Sequence, residues 1–239
     1  MFIREGAGQE YTPIQQLIKL VESQVSRDII TTGMPQEYVD FWRNKYYSLI
    51  AAAMSMKRFA ESPRNFHVGG SMCYWDRRLD RGKVTFDANL KGSVNQPPPK
   101  MCAERRLLRQ LHLGSLISQE GKFESKREDE LNIYEPNLDV VGLVVASDQT
   151  TTVRSGEQPE HAYKEERAVL HPCGQCLNLL SHDGLVKPWT RIVMVNDVDR
   201  KHLVVEDISI EDLLKSHGDT KKFAGDYKTY IEDLMPDLE

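Results

Sequence analysis

Apolar positions recur at helical spacing through the first sixty residues. Leu17, Ile18, Val21 and Val25 follow Thr12-Pro13-Ile14-Gln15, which reads as a helix start. Thr12 is its N-cap, Pro13 sits in the first turn and Gln15 holds the capping-box position. Gly33 is the expected stop. A second helix is predicted from near Pro35 to Pro63, with Tyr38, Phe41, Trp42, Leu49, Ile50, Ala53, Met56 and Phe59 on its buried side. The pattern then changes to strands at 66–74 and 83–90, with Asp80-Arg81-Gly82 as the turn. The prolines at 97–99 cannot continue a strand and lead into a helix at about Met101, running through Leu107, Leu108 and Leu111.

Residues 138–146 form a continuous apolar run. It is short, β-branched and bounded by Ser147-Asp148, which favours a strand covered on both faces. Polar stretches near 115–137 and 149–165 flank it and read as solvated insertions. A helix at Pro172-Cys173-Gly174-Gln175-Cys176, strands at 191–195 and 202–205, and a short helix capped by Ser209 complete the alternation. A last helix runs through Phe223, Tyr227, Tyr230 and Leu234. The order predicts an α/β, three-layer fold, a central mixed sheet of about five strands with helices on both faces. Residues 1–35 read as an N-terminal helical extension, 36–218 as the main domain, and 219–239 as a C-terminal helix packed on it.

Charge narrows the partners. The chain has 239 residues, with 31 Lys and Arg against 36 Asp and Glu, a net charge of -5. That balance argues against a surface built to grip a long polyanion. Neither a signal-peptide core nor a spanning apolar run is present, so a cytoplasmic protein without membrane contact is expected. Four cysteines in this length do not make a disulfide framework.

Three of those cysteines carry the candidate chemistry. Met101-Cys102-Ala103-Glu104-Arg105 and the Pro-Cys-Gly-Gln-Cys segment each open a predicted helix. A ligand two residues before a non-ligating Glu, followed later by Pro-Cys-x-x-Cys, is the signature of zinc deaminases. Cys173 and Cys176 lie one helical turn apart and can face one ion. Cys102 supplies the third thiolate, which leaves the fourth position of a catalytic Zn2+ site open. Glu104 is the expected proton carrier, and Arg105 is placed to offset the charge of three thiolates by donating to a ligand sulfur. Either segment alone also fits other roles, such as a zinc knuckle or a redox pair. Cys73, within a strand among apolar neighbours, reads as a core thiol. His171 fits either a pocket-lining or a structural role, and Arg106 and Arg109 read as a solvated helix face.

With these residues in view, the chain resembles the cytidine deaminase family of three-cysteine zinc type. Residues 53–70, which include Phe66-His67-Val68-Gly69-Gly70, resemble its first helix and strand entry. Residues 84–93, 144–148 and 210–214 resemble later segments. The resemblance implies that Cys102, Cys173 and Cys176 hold zinc and that Glu104 shuttles protons. It further implies that the Ala103 amide meets the pyrimidine carbonyl, that Phe66 packs on the base and that Asn89 holds the sugar. The family's Asn-x-Glu reads Asn89-Leu90-Lys91 here, so a cation replaces an acceptor. A phosphorylated or otherwise anionic substrate becomes plausible on that ground, Lys91 being its partner. The expected activity is hydrolytic deamination of a cytosine-type nucleoside, nucleotide or related small molecule by a homo-oligomer. The competing readings are a polynucleotide base deaminase and a non-catalytic, zinc-stabilised binding module.

Overall fold

A computed structural model of the protein describes residues 13–60, 67–90, 101–120, 137–148, 151–153, 164–166, 169–197 and 201–216. Helices α1 (Ile14–Gln24) and α2 (Gln36–Met56) come first. They are followed by the strands β1 (Val68–Asp76) and β2 (Arg81–Ala88), then helix α3 (Ala103–Glu120) and strand β3 (Leu138–Ser147). The short strands β4 (Thr151–Val153) and β5 (Lys164–Glu166), helix α4 (Gly174–His182), strands β6 (Val186–Asn196) and β7 (Val204–Ser209), and helix α5 (Ile210–Ser216) complete the order.

Five strands form one mixed sheet in the order β2-β1-β3-β6-β7. β3 and β6 are parallel, and the other neighbours are antiparallel. The central strand β3 is buried along its whole length, as its unbroken apolar run requires. Each strand alternates its side chains between two cores. On one face, Val68, Met72, Leu143, Val145, Ile192 and Met194 pack with leucines of α3, α4 and α5. On the other, Cys73, Val144, Val193 and Val195 pack with α1 and α2 around Trp42 and Ile50. The architecture is therefore three layers, helices on both faces of a five-stranded sheet, as the alternation of elements predicts.

Several boundaries differ from expectation for local reasons. α1 stops at Gln24, where the Val25 N–H bonds back to Val21. Gly33, at a φ of 78°, instead forms the turn that feeds α2. Pro13 is the N-cap of α1, and Thr12 lies outside the described residues. The backbone tightens into a 3-10 turn at Lys57–Phe59, which rotates Phe59 out of the core. The Arg58 guanidinium lies over its ring, 4.6 Å from the centroid. The β1–β2 turn falls earlier than Asp80-Arg81-Gly82, because Asp76 Oδ1 accepts the N–H groups of Arg78 and Leu79, both at 3.1 Å. Asp80 takes the left-handed conformation there, which an aspartate tolerates better than most residues.

The polar segment after β3 contains the β4–β5 ladder, which its composition does not announce. Ser209 does cap α5: its Oγ accepts the Asp212 N–H at 3.1 Å and donates to that carboxylate at 2.6 Å. The expected C-terminal helix over 219–239 lies outside the described residues, as does the segment 121–136. Among the described residues, no helix is long and apolar enough to cross a membrane.

Candidate metal centre

Cys102 and Cys173 hold equivalent places in their helices. The Cys102 carbonyl accepts the N–H of Arg106 at 3.1 Å, and the Cys173 carbonyl accepts that of Leu177 at 2.9 Å. Each therefore stands at the mouth of a helix, where unpaired N–H groups and the dipole favour a thiolate. Met101 pairs with Leu90 through two backbone hydrogen bonds of 2.9 and 3.0 Å, which moors Cys102 to the end of the β1–β2 hairpin. α4 carries Cys176 in its first turn, on the buried side.

The three sulfurs converge, all within 4.8 Å of one another. Cys102 and Cys173 are 4.0 Å apart and Cys173 and Cys176 are 3.5 Å apart. Zinc–sulfur bonds of about 2.3 Å in a tetrahedron put sulfurs roughly 3.8 Å apart. The triangle thus fits one tetrahedral ion. Among the described residues, no other Cys, His, Asp or Glu joins the group. Cys173 is exposed, Cys102 is half-buried and Cys176 is buried, so one side of the triangle faces solvent.

The charges around the triangle favour a cation. The Cys176 pKa is raised, first by a hydrogen bond with the Cys102 thiol, then by burial, then by the Glu104 carboxylate and the other two sulfurs. A divalent ion among them reverses that logic and holds ligating thiols deprotonated. Glu104 is itself buried, at 5% exposure, and lies close enough to act on Cys176. Arg105 occupies the first turn of α3 and is half-buried. Cys73 faces the opposite core and is fully buried, which pushes its thiol up, in keeping with a packing role.

The remaining candidates are dispersed. Ala103 is the first residue of α3 and is fully buried against β1, where a Cβ on Gly70 would come within 3.2 Å of it. Asn89 is buried at the end of β2, and its Oδ1 accepts the Val68 N–H at 2.9 Å, extending the hairpin by a side chain. Phe66 and Lys91 lie outside the described residues. His171 pairs with Glu206 at 3.1 Å. Arg106 is not simply a solvated residue: its Nε meets Asp87 at 2.9 Å, and Gln110, one turn on, donates to the same carboxylate oxygen at 2.6 Å. The signal for that tie was the four-residue spacing of Arg106 and Gln110 opposite an inward Asp on β2. Arg109 donates to the Met101 sulfur at 3.7 Å.

No family model and no curated protein matches the chain. Among solved structures, the chain is similar to a crystal structure of cytidine deaminase from Burkholderia pseudomallei. The identity is 21%, the match covers 70% of this chain and 94% of that one, and the TM-score is 0.42.

Proposed function

We propose that the protein is a zinc-dependent hydrolytic deaminase acting on a cytosine-type nucleoside, nucleotide or related small molecule. The observation that carries this reading is the sulfur triangle at two helix mouths with the Glu104 carboxylate beside it. A structural zinc site calls for a fourth protein ligand and has no use for such a carboxylate. Cys102, Cys173 and Cys176 would hold the ion. Zinc bound there supplies the Lewis acidity that makes water a nucleophile at neutral pH.

Glu104 does the proton work. It is buried beside the sulfurs, close enough to act on Cys176. It takes a proton from the attacking water and passes protons to the ring nitrogen and the departing amine, so that water enters and ammonia leaves. The helix-mouth N–H groups at Ala103 suit a carbonyl oxygen of the base. The cytosine-type ring and the sugar contact of Asn89 rest on the sequence resemblance, as does a homo-oligomeric state. Lys91 in place of an acidic residue supports an anionic substrate.

The test pairs metal content with ammonia release. Wild-type protein should hold one zinc per chain and release ammonia from cytidine, deoxycytidine or their monophosphates, with the monophosphates preferred. Glu104→Gln should keep the zinc and lose about 10²–10⁴-fold in turnover. Full activity in Glu104→Gln would sink the proton-carrier role. No ammonia from any amino-bearing base on a broad panel would favour the non-catalytic module instead. Turnover of free cytidine with no gain from phosphate would remove the role given to Lys91.

A further inference from the structure

The two helices that present the sulfurs are joined a second time, deep in the core. His112 on α3 and Asp183 at the end of α4 meet through Nε2 and Oδ2 at 3.0 Å. Their side chains are 1% and 0% exposed. The spacing is the same on both helices: His112 lies 10 residues beyond Cys102, and Asp183 lies 10 beyond Cys173. At 1.5 Å of rise per residue, the sulfur cluster and the His–Asp pair form two rungs about 15 Å apart between α3 and α4.

The pair is anchored on the α4 side. The other Asp183 oxygen accepts the Leu185 N–H at 2.8 Å, and the Asp183 N–H bonds to the Leu179 carbonyl at 2.9 Å. Around the rungs, Leu107, Leu108, Leu111, Leu177, Leu179 and Leu180 share one apolar core. Apolar contact resists separation of the helices but is non-directional, so it permits sliding and rotation. A buried hydrogen bond does not. An ionisable pair here is no more stabilising than well-packed apolar side chains, so its distinctive contribution is direction. Zinc–ligand distances in a well-formed site fall within about 0.2 Å of their standard values, so the spacing of the sulfurs matters.

We infer that the His112–Asp183 pair is a positioning device for the metal centre: it fixes the axial register of α3 against α4 and so presets the spacing of the three sulfurs. The inference rests on the zinc-centre reading above. Neither residue belongs to the sulfur group.

The test compares wild type with Asp183→Asn, with the double variant His112→Leu/Asp183→Asn, and with Tyr38→Phe. Asp183→Asn keeps the oxygen that accepts the Leu185 N–H and turns an amide N–H toward His112 Nε2, which the other imidazole tautomer accepts. The double variant breaks the rung without leaving a buried charge unpaired. Tyr38→Phe removes a buried hydrogen bond to Asp139 on the opposite face and serves as a stability control. Zinc affinity is read by chelator competition, and site geometry by the visible spectrum of the cobalt(II)-loaded protein.

The double variant should lose about 10–100-fold in zinc affinity, while Asp183→Asn and Tyr38→Phe stay within about threefold of wild type. Its cobalt spectrum should shift, and that of Tyr38→Phe should not. Wild-type affinity and spectrum in the folded double variant would overturn the inference. If that variant does not fold, His112→Phe/Asp183→Asn, which refills the imidazole's space without the hydrogen bond, decides by the same two readouts, and an unchanged result there overturns it. Wild-type protein that takes up no zinc overturns the proposed function and this inference together. Zinc uptake by wild type with indifferent variants overturns this inference alone.

Discussion

Cys176 carries a heavy electrostatic load. It is buried, bonded to Cys102 and flanked by Glu104, and each influence favours the protonated thiol. Zinc requires the thiolate, so uptake of the ion must expel that proton. Calorimetric zinc titrations in buffers of different ionisation heat should therefore show proton release. Cys176→Ser should bind zinc far more weakly. Heats independent of the buffer would contradict this account. The approach of Cys173 to Cys176 is legible in their three-residue spacing, and the Glu two residues after Cys102 points to the same chemistry. The partner of His112 is not legible, because nothing near Asp183 in sequence marks a meeting across 71 residues. The bond from Asn89 to Val68 depends in the same way on hairpin register.

Elements whose apolar spacing was regular stand close to where that spacing puts them: α2, β3 and the leucine-rich start of α3. Those fixed by polar side chains do not. β4 and β5 are three residues each, too short for alternation to show. The β1–β2 turn is set by Asp76, which also receives Lys83 Nζ at 2.9 Å. Burial alone would raise the Asp76 pKa, but the Lys83 bond and the two turn N–H groups outweigh it and lower it from 3.8. A carboxylate whose folded pKa is depressed adds stability above its unfolded value and loses it as pH falls through the folded one. Wild type should therefore exceed Asp76→Asn in urea midpoint near neutrality, and the gap should close on acidification below 3.8. A gap that persists at the acid end would show that the carboxylate charge is not what holds the turn.

At the scale of the molecule, the sheet is a wall between the sulfur triangle and the α1–α2 core. A bulge marks the middle of that wall. Cys73 pairs with Gly142 and Tyr74 with Val140, so Val141 is the extra residue of β3. Val141 and Gly142 then both serve the α2 side, and Trp42 lies over the glycine. A Cβ at position 142 would stand 2.1 Å from Trp42 Cζ3, a distance real contacts do not allow. Trp42 is fully buried and has no room to retreat. Gly142→Ala should therefore cost about 1–3 kcal/mol as overpacking and lower Tm by several degrees. Because the clash lies on the face away from the sulfurs, folded Gly142→Ala should keep one zinc per chain and wild-type ammonia release. Adding Trp42→Phe should recover part of the stability, since the two residues share one space. Loss of zinc in the single variant at a temperature where it stays folded would show that the two faces are coupled through β3. A neutral Gly142→Ala would mean that Trp42 is not seated over the bulge.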